Sequence, residues 1–147
     1  MIEVLVAISI ITFSILAMMV VSQKSVRVAY QSFHTTQASF LLEEGAEAMR
    51  VLRDDDWSNI SSLTPSTSYY LVFSGGTWTL LDTASTIGIF TRTVTVADVN
   101  RDDVSKDISQ SGTNDPSTKL ITVTVSWSEG GTTVNKTLSF YLMDIFS

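Results

Sequence analysis

Few side chains in this 147-residue sequence stand where they could do chemistry, and the foremost is Glu3. It is the only charged residue before Lys24, set in the run Met1-Ile2-Glu3-Val4-Leu5-Val6-Ala7-Ile8 within an apolar stretch that continues to Val21. A charged side chain at the centre of a membrane helix costs about 2.5–3.5 kcal/mol. Such an acid needs a cationic partner, and its own segment supplies none. A second set is Asp98, Asn100 and Asp102, whose alternate spacing is that of a calcium loop built from oxygen ligands. There Asp103 replaces the required glycine and Ser109 the bidentate glutamate, so a solvated loop is expected instead. His34 is the single histidine and cysteine is absent. Zinc binding, thiol chemistry, a disulfide framework and a catalytic triad are therefore not expected. With no G-x-S-x-G and no phosphate loop, no enzyme activity and no cofactor are expected.

The elements that must position Glu3 follow from periodicity. The apolar run is long enough to span a hydrocarbon core of about 30 Å, and without a basic n-region or cleavage site it reads as retained rather than as a signal peptide. From Gln23 to Arg53 the residues Val26, Tyr30, Phe33, Phe40, Leu41, Ala48 and Leu52 recur at three, four or seven, with Gln37 and Gly45 interrupting the same stripe. No proline occurs before Pro65. The expectation is one helix from about residue 1 to 53, near 80 Å long, with an apolar half that meets lipid or other helices and an amphipathic half that packs on a sheet. Asp54-Asp55-Asp56 opposes the macrodipole at the helix end and reads as a stop signal. A cation site, or a contact with a neighbouring copy's Arg50 or Arg53, is the functional alternative.

The remainder reads as strands. Segments 69–74 and 77–82 flank Gly75-Gly76, a two-residue hairpin signal. Segment 90–99 places Val94 and Val96 beside Phe90. Segment 120–128 alternates, with Ile121, Val123, Val125 and Trp127 inward and Thr122, Thr124 and Ser126 outward. Glu129-Gly130-Gly131 turns into 133–145, where Leu138, Phe140 and Leu142 continue the apolar face. Residues 99–118 are polar and read as a loop. Trp127, Val123, Val125 and Phe140 are the expected core. Asn59-Ile60-Ser61 and Asn135-Lys136-Thr137 match the N-glycosylation tripeptide, a frequent chance pattern. The fold class is thus α+β, a long N-terminal helix on an antiparallel sheet of four to five strands. Its segments are an anchor at 1–22, an amphipathic half-helix at 23–53, a connection at 54–68 and a sheet at 69–147, with 23–147 as one globular unit.

The run from Ile2 to Ile8 resembles the N-terminus of type IV pilins and pseudopilins. The likeness is specific over about the first 20 residues and architectural beyond them. Relative to that family the glutamate lies two residues nearer the start, and Met1 stands where phenylalanine is usual. Two further residues and a basic leader are therefore expected upstream. The family often staples its C-terminal region with a disulfide; this chain, without cysteine, must close that end by strand pairing. The resemblance implies a structural filament subunit, held in the cytoplasmic membrane before assembly and extracellular afterwards. It also implies a prepilin peptidase and an assembly machinery as partners, and a homopolymer built through Glu3, Ile2, Val4, Leu5, Ala7 and Ile8. A minor pilin or pseudopilin of a secretion or DNA-uptake machine, or a membrane-anchored surface-binding module, are the alternatives. A net charge of −6 argues against nucleic acid as a partner.

Overall fold

Fifty-four residues without proline and with one glycine form a single helix, α1 (Ile2–Asp55). In the computed structural model, which describes residues 1–145, a short helix α2 (Ser58–Ser61) follows. Among the described residues seven strands follow: β1 (Tyr70–Ser74), β2 (Thr77–Leu81), β3 (Thr86–Ile87), β4 (Phe90–Arg101), β5 (Ile108–Ser109), β6 (Thr113–Glu129) and β7 (Thr132–Met143). The fold is α+β, with α1 packed on a five-stranded antiparallel sheet ordered β3-β4-β6-β7 and β5 on the edge of β4. The chain divides into two units, Met1–Gln37 and Ala38–Ser147. The buried side chains lie in the second, so the globular unit begins at Ala38 rather than at residue 23.

Within that unit the sheet-facing side of the helix is Ala38, Leu42, Gly45, Ala46, Ala48, Met49 and Leu52. This differs in part from the expected stripe: Gly45, Ala48 and Leu52 lie on both, whereas Ala38, Leu42, Ala46 and Met49 are not on it. Leu41, Ala48 and Leu52 do pack on the core, but Phe40 is exposed. The reason is steric. The opposing face carries Val94, Val96, Ile121, Val123 and Val125, all fully buried; at the closest approach only a small residue fits against that row, while Leu42, Met49 and Leu52 are buried elsewhere along the same side. Gly45 marks the nearest approach, since a Cβ there would stand 2.8 Å from Val123 Cγ1 and 3.3 Å from Arg92 Cδ.

The alternation along β6 places Ile121, Val123, Val125 and Trp127 under the helix, and Trp127 meets Phe90 edge-on at 5.6 Å. Phe140 is half-buried, packed against this core beneath the Arg50 guanidinium, 5.6 Å from its ring. Leu142 is buried, whereas Leu138 is exposed near the open edge of the sheet. The β1-β2 hairpin turns at Gly75 and Gly76, with φ of 63° and 86°, values that suit glycine. It forms its own two-stranded sheet, tied to β4 through the Tyr69–Val94 bridge.

The expected loop at 99–118 is largely strand. β4 runs on to Arg101 and β6 starts at Thr113, with Val99 opposite Asp115 after a register shift that leaves 116–118 unpaired with β4. Pro116, which has no N–H to donate, sits in that unpaired stretch. A polar network holds this end without a disulfide. Arg101 donates from Nε to Asp115 at 2.6 Å and from Nη2 to Thr118 at 3.1 Å, and the Thr118 hydroxyl donates to Asp115 at 2.7 Å. The Arg101 guanidinium, followed by the Thr118 hydroxyl, holds the Asp115 carboxyl below its ordinary range.

Candidate assembly surface

Every side chain from Met1 to Tyr30 is exposed, including Ile2, Val4, Leu5, Ala7 and Ile8. An 18-residue window of α1 is apolar enough to cross a membrane, and none of it is buried. Its polar atoms are closed off within the helix itself. Ser9, Thr12 and Ser14 donate to the carbonyls of Leu5, Ile8 and Ile10 at 2.8, 2.8 and 2.9 Å. With those hydroxyls paired, the surface suits a dry environment, lipid or packed helices, where an unsatisfied polar group costs several kcal/mol.

Glu3 is the exception. It lies in the first turn of α1, where a carboxylate is favoured by the positive end of the helix dipole. It forms no ion pair among the described residues. The site is therefore one acid on an apolar cylinder, and what it lacks is a cation.

The other residues singled out from sequence have internal roles. Asp98 accepts from Lys119 Nζ at 2.5 Å, and Asp102 accepts from the amides of Val104 and Ser105 at 2.9 and 2.8 Å. Those amides, Ser105 first, hold the Asp102 carboxyl below its ordinary range. The calcium-like spacing thus serves a cross-strand pair and a turn, and no metal-holding cluster of His, Cys, Asp or Glu occurs among the described residues. Asp54 pairs with Arg53, and Asp56 accepts from the Ser58 amide at 2.7 Å, starting α2. Asn59 donates to the Leu52 carbonyl at 3.1 Å, which gives the amide of the first glycosylation tripeptide a structural partner. His34 is half-buried, with its ring near those of Tyr30 and Phe33.

Sequence reading missed two features. Arg92 occupies an inward position on β4 between Phe90 and Val94 and is only 3% exposed. It donates from Nη1 to the Leu41 carbonyl at 3.2 Å and to Glu44 at 2.5 Å, and lies 5.3 Å over the Trp78 ring. The signal was a basic residue in an inward phase, which calls for an acid on the covering helix. The second feature is that Val26, Tyr30 and Phe33, expected to face the sheet, lie outside the globular unit and are 54–61% exposed. No protein-family model matches this chain, and neither the curated proteins nor the solved structures contain a match.

Proposed function

We propose that this chain is a structural subunit of a type IV pilus-like filament that polymerises through its N-terminal helix. The observation that carries the reading is Glu3, unpartnered on a helix end otherwise apolar all round. In a polymer the amino terminus of a neighbouring copy supplies the cation. Two unit charges about 4 Å apart attract by about 4 kcal/mol at an effective dielectric of 20, enough to offset an insertion cost of a few kcal/mol. The same apolar surface serves lipid before assembly and neighbouring helices afterwards. A contact that does not close on itself yields an open helical polymer. The sheet unit then forms the outer wall, and the role is structural rather than catalytic.

The experiment is Glu3→Leu, with the protein quantified in membranes and filaments counted by electron microscopy. Unchanged membrane content with few or no filaments is expected. Normal filament numbers refute the pairing.

A further inference from the structure

Beside the β1-β2 hairpin lies a cavity of about 260 Å³, bordered by Glu44 of α1, Leu71 and Phe73 of β1, Trp78 of β2, Ser85, and Arg92 of β4. Drug-sized sites span about 300–1,000 Å³, so this one takes a single ring rather than an extended ligand. Strand register builds its aromatic wall. Leu71 pairs with Leu80 and Phe73 with Trp78, which puts all four side chains on one face of the hairpin. Leu71 is buried, and Leu80 and Trp78 pack against the core. Phe73 shares that inward face near the hairpin tip, yet 59% of its surface stays exposed. Its ring meets that of Trp78 at 5.1 Å, tilted by 54°.

The polar groups that border this cavity are only partly used within the chain. Arg92 is almost wholly buried, and a guanidinium carries N–H donors on all three nitrogens. Nη1 donates to the Leu41 carbonyl and to Glu44. Nε is buried and makes no hydrogen bond, and among the described residues Nη2 makes none either. Donors buried without partners are costly. Glu44 is half exposed, and only its Oε2 is engaged, which leaves Oε1 as an acceptor. The two charges cancel. What remains is a donor edge and an acceptor beside an aromatic pair, with no net charge.

We infer that this cavity binds one neutral hexose residue of a glycan. A pyranose ring presents an apolar C–H face to Phe73 and Trp78. Its hydroxyls both donate and accept, which matches Arg92 Nη2 and Glu44 Oε1. A few convergent polar groups beside apolar walls are the usual make-up of a small-molecule site. Other single-ring ligands fit less well. An apolar side chain of a protein leaves both polar groups covered and unpaired. An anionic ring meets Glu44 and a cationic ring meets Arg92, and each such contact with a like charge selects against the ligand. Binding of this kind does not depend on assembly, since every bordering residue belongs to the unit Ala38–Ser147.

The test titrates the isotope-labelled full chain, held in zwitterionic micelles without sugar headgroups, with the methyl glycosides of glucose, galactose and mannose. The chain has three tryptophans, and the indole N–H resonance that disappears in Trp78→Phe belongs to Trp78. A saturable shift of that resonance by at least one glycoside at millimolar concentration is expected. Phe73→Ala, at an exposed position, should weaken binding by about fivefold or more, with near-UV circular dichroism unchanged. The methyl uronide of the sugar that binds, the same ring with a carboxylate in place of its primary alcohol, should bind severalfold more weakly. Glu44→Gln leaves the Arg92 charge uncancelled and should narrow that gap. The inference is overturned by no saturable shift from any of the three glycosides, by undiminished binding to Phe73→Ala, or by preference for the uronide. Tighter binding of N-acetylphenylalaninamide overturns it too, and makes a protein side chain the occupant. Should Phe73→Ala lose its fold, the uronide comparison decides, and a gap unchanged in Glu44→Gln overturns the assignment.

Discussion

Gly45→Ala sets two effects of similar size against each other, and its sign depends on how closely the helix approaches the sheet. In an open helix the change gains about 0.8–1.0 kcal/mol. Here the added methyl would stand 2.8 Å from Val123 Cγ1 and 3.3 Å from Arg92 Cδ. Val123 is fully buried in the central strand β6, between Val94 of β4 and Leu138 of β7, so it has no room to yield. Overpacking of this kind costs about 1–3 kcal/mol. The balance is a net loss of about 1 kcal/mol, which lowers Tm by about 3–5 °C for a domain of this size. The measurement is thermal unfolding of the full chain in micelles, followed by near-UV circular dichroism. In a Val123→Ala background the obstructing methyls are gone, and Gly45→Ala should become stabilising by up to about 1 kcal/mol. That reversal corresponds to a coupling of about 2 kcal/mol, within the range of residues in contact. A rise in Tm for Gly45→Ala in the otherwise unaltered chain would refute the close approach.

Breaking the Arg92–Glu44 pair should be asymmetric. Glu44→Ala strands a buried guanidinium and should cost about 1–3 kcal/mol, below the fully buried figure because Glu44 is half in water. Arg92→Met leaves Glu44 solvated and should cost about 1 kcal/mol or less; urea melts giving the reverse order would exclude this account. A carboxyl with a depressed folded value stabilises the fold above its unfolded value, and that stabilisation is lost as pH falls through the folded value. Asp115, held low by Arg101 and Thr118, should follow this rule, so Asp115→Asn should lose stability at neutral pH and flatten the acid limb below about pH 4. An equal deficit at pH 7 and pH 2 would count against it. Removing residues 1–22 takes away no buried side chain. The product should be a soluble, folded monomer by ultracentrifugation and circular dichroism, and an aggregated or unfolded product would contradict the two-unit organisation.

Local periodicity by itself determined the long helix, the two glycine hairpins and the inward row from Ile121 to Trp127. Each of these depends on neighbours a few residues apart, and a lone acid among apolar residues is visible in any window that contains it. Tertiary structure alone decided which side of the helix meets the sheet. A period of 3.6 reports that a stripe exists, but several phases satisfy it. The expected stripe carried Val26, Tyr30, Phe33 and Phe40 together with Gly45, Ala48 and Leu52; only its C-terminal part is buried, and packing on the valine row adds Ala38, Leu42, Ala46 and Met49. Tertiary pairing also turned most of 99–118 into strand, since Val99, Asn100 and Arg101 find their partners at Asp115, Asn114 and Thr113. Asparagine and aspartate are depleted in strands, so Asn100, Asn114 and Asp115 did not announce that pairing. The aspartates that looked like ligands became partners of lysine, arginine and backbone amides for the same reason: spacing along a chain limits where a carboxylate can reach, and the fold chooses which cation or amide it finds there.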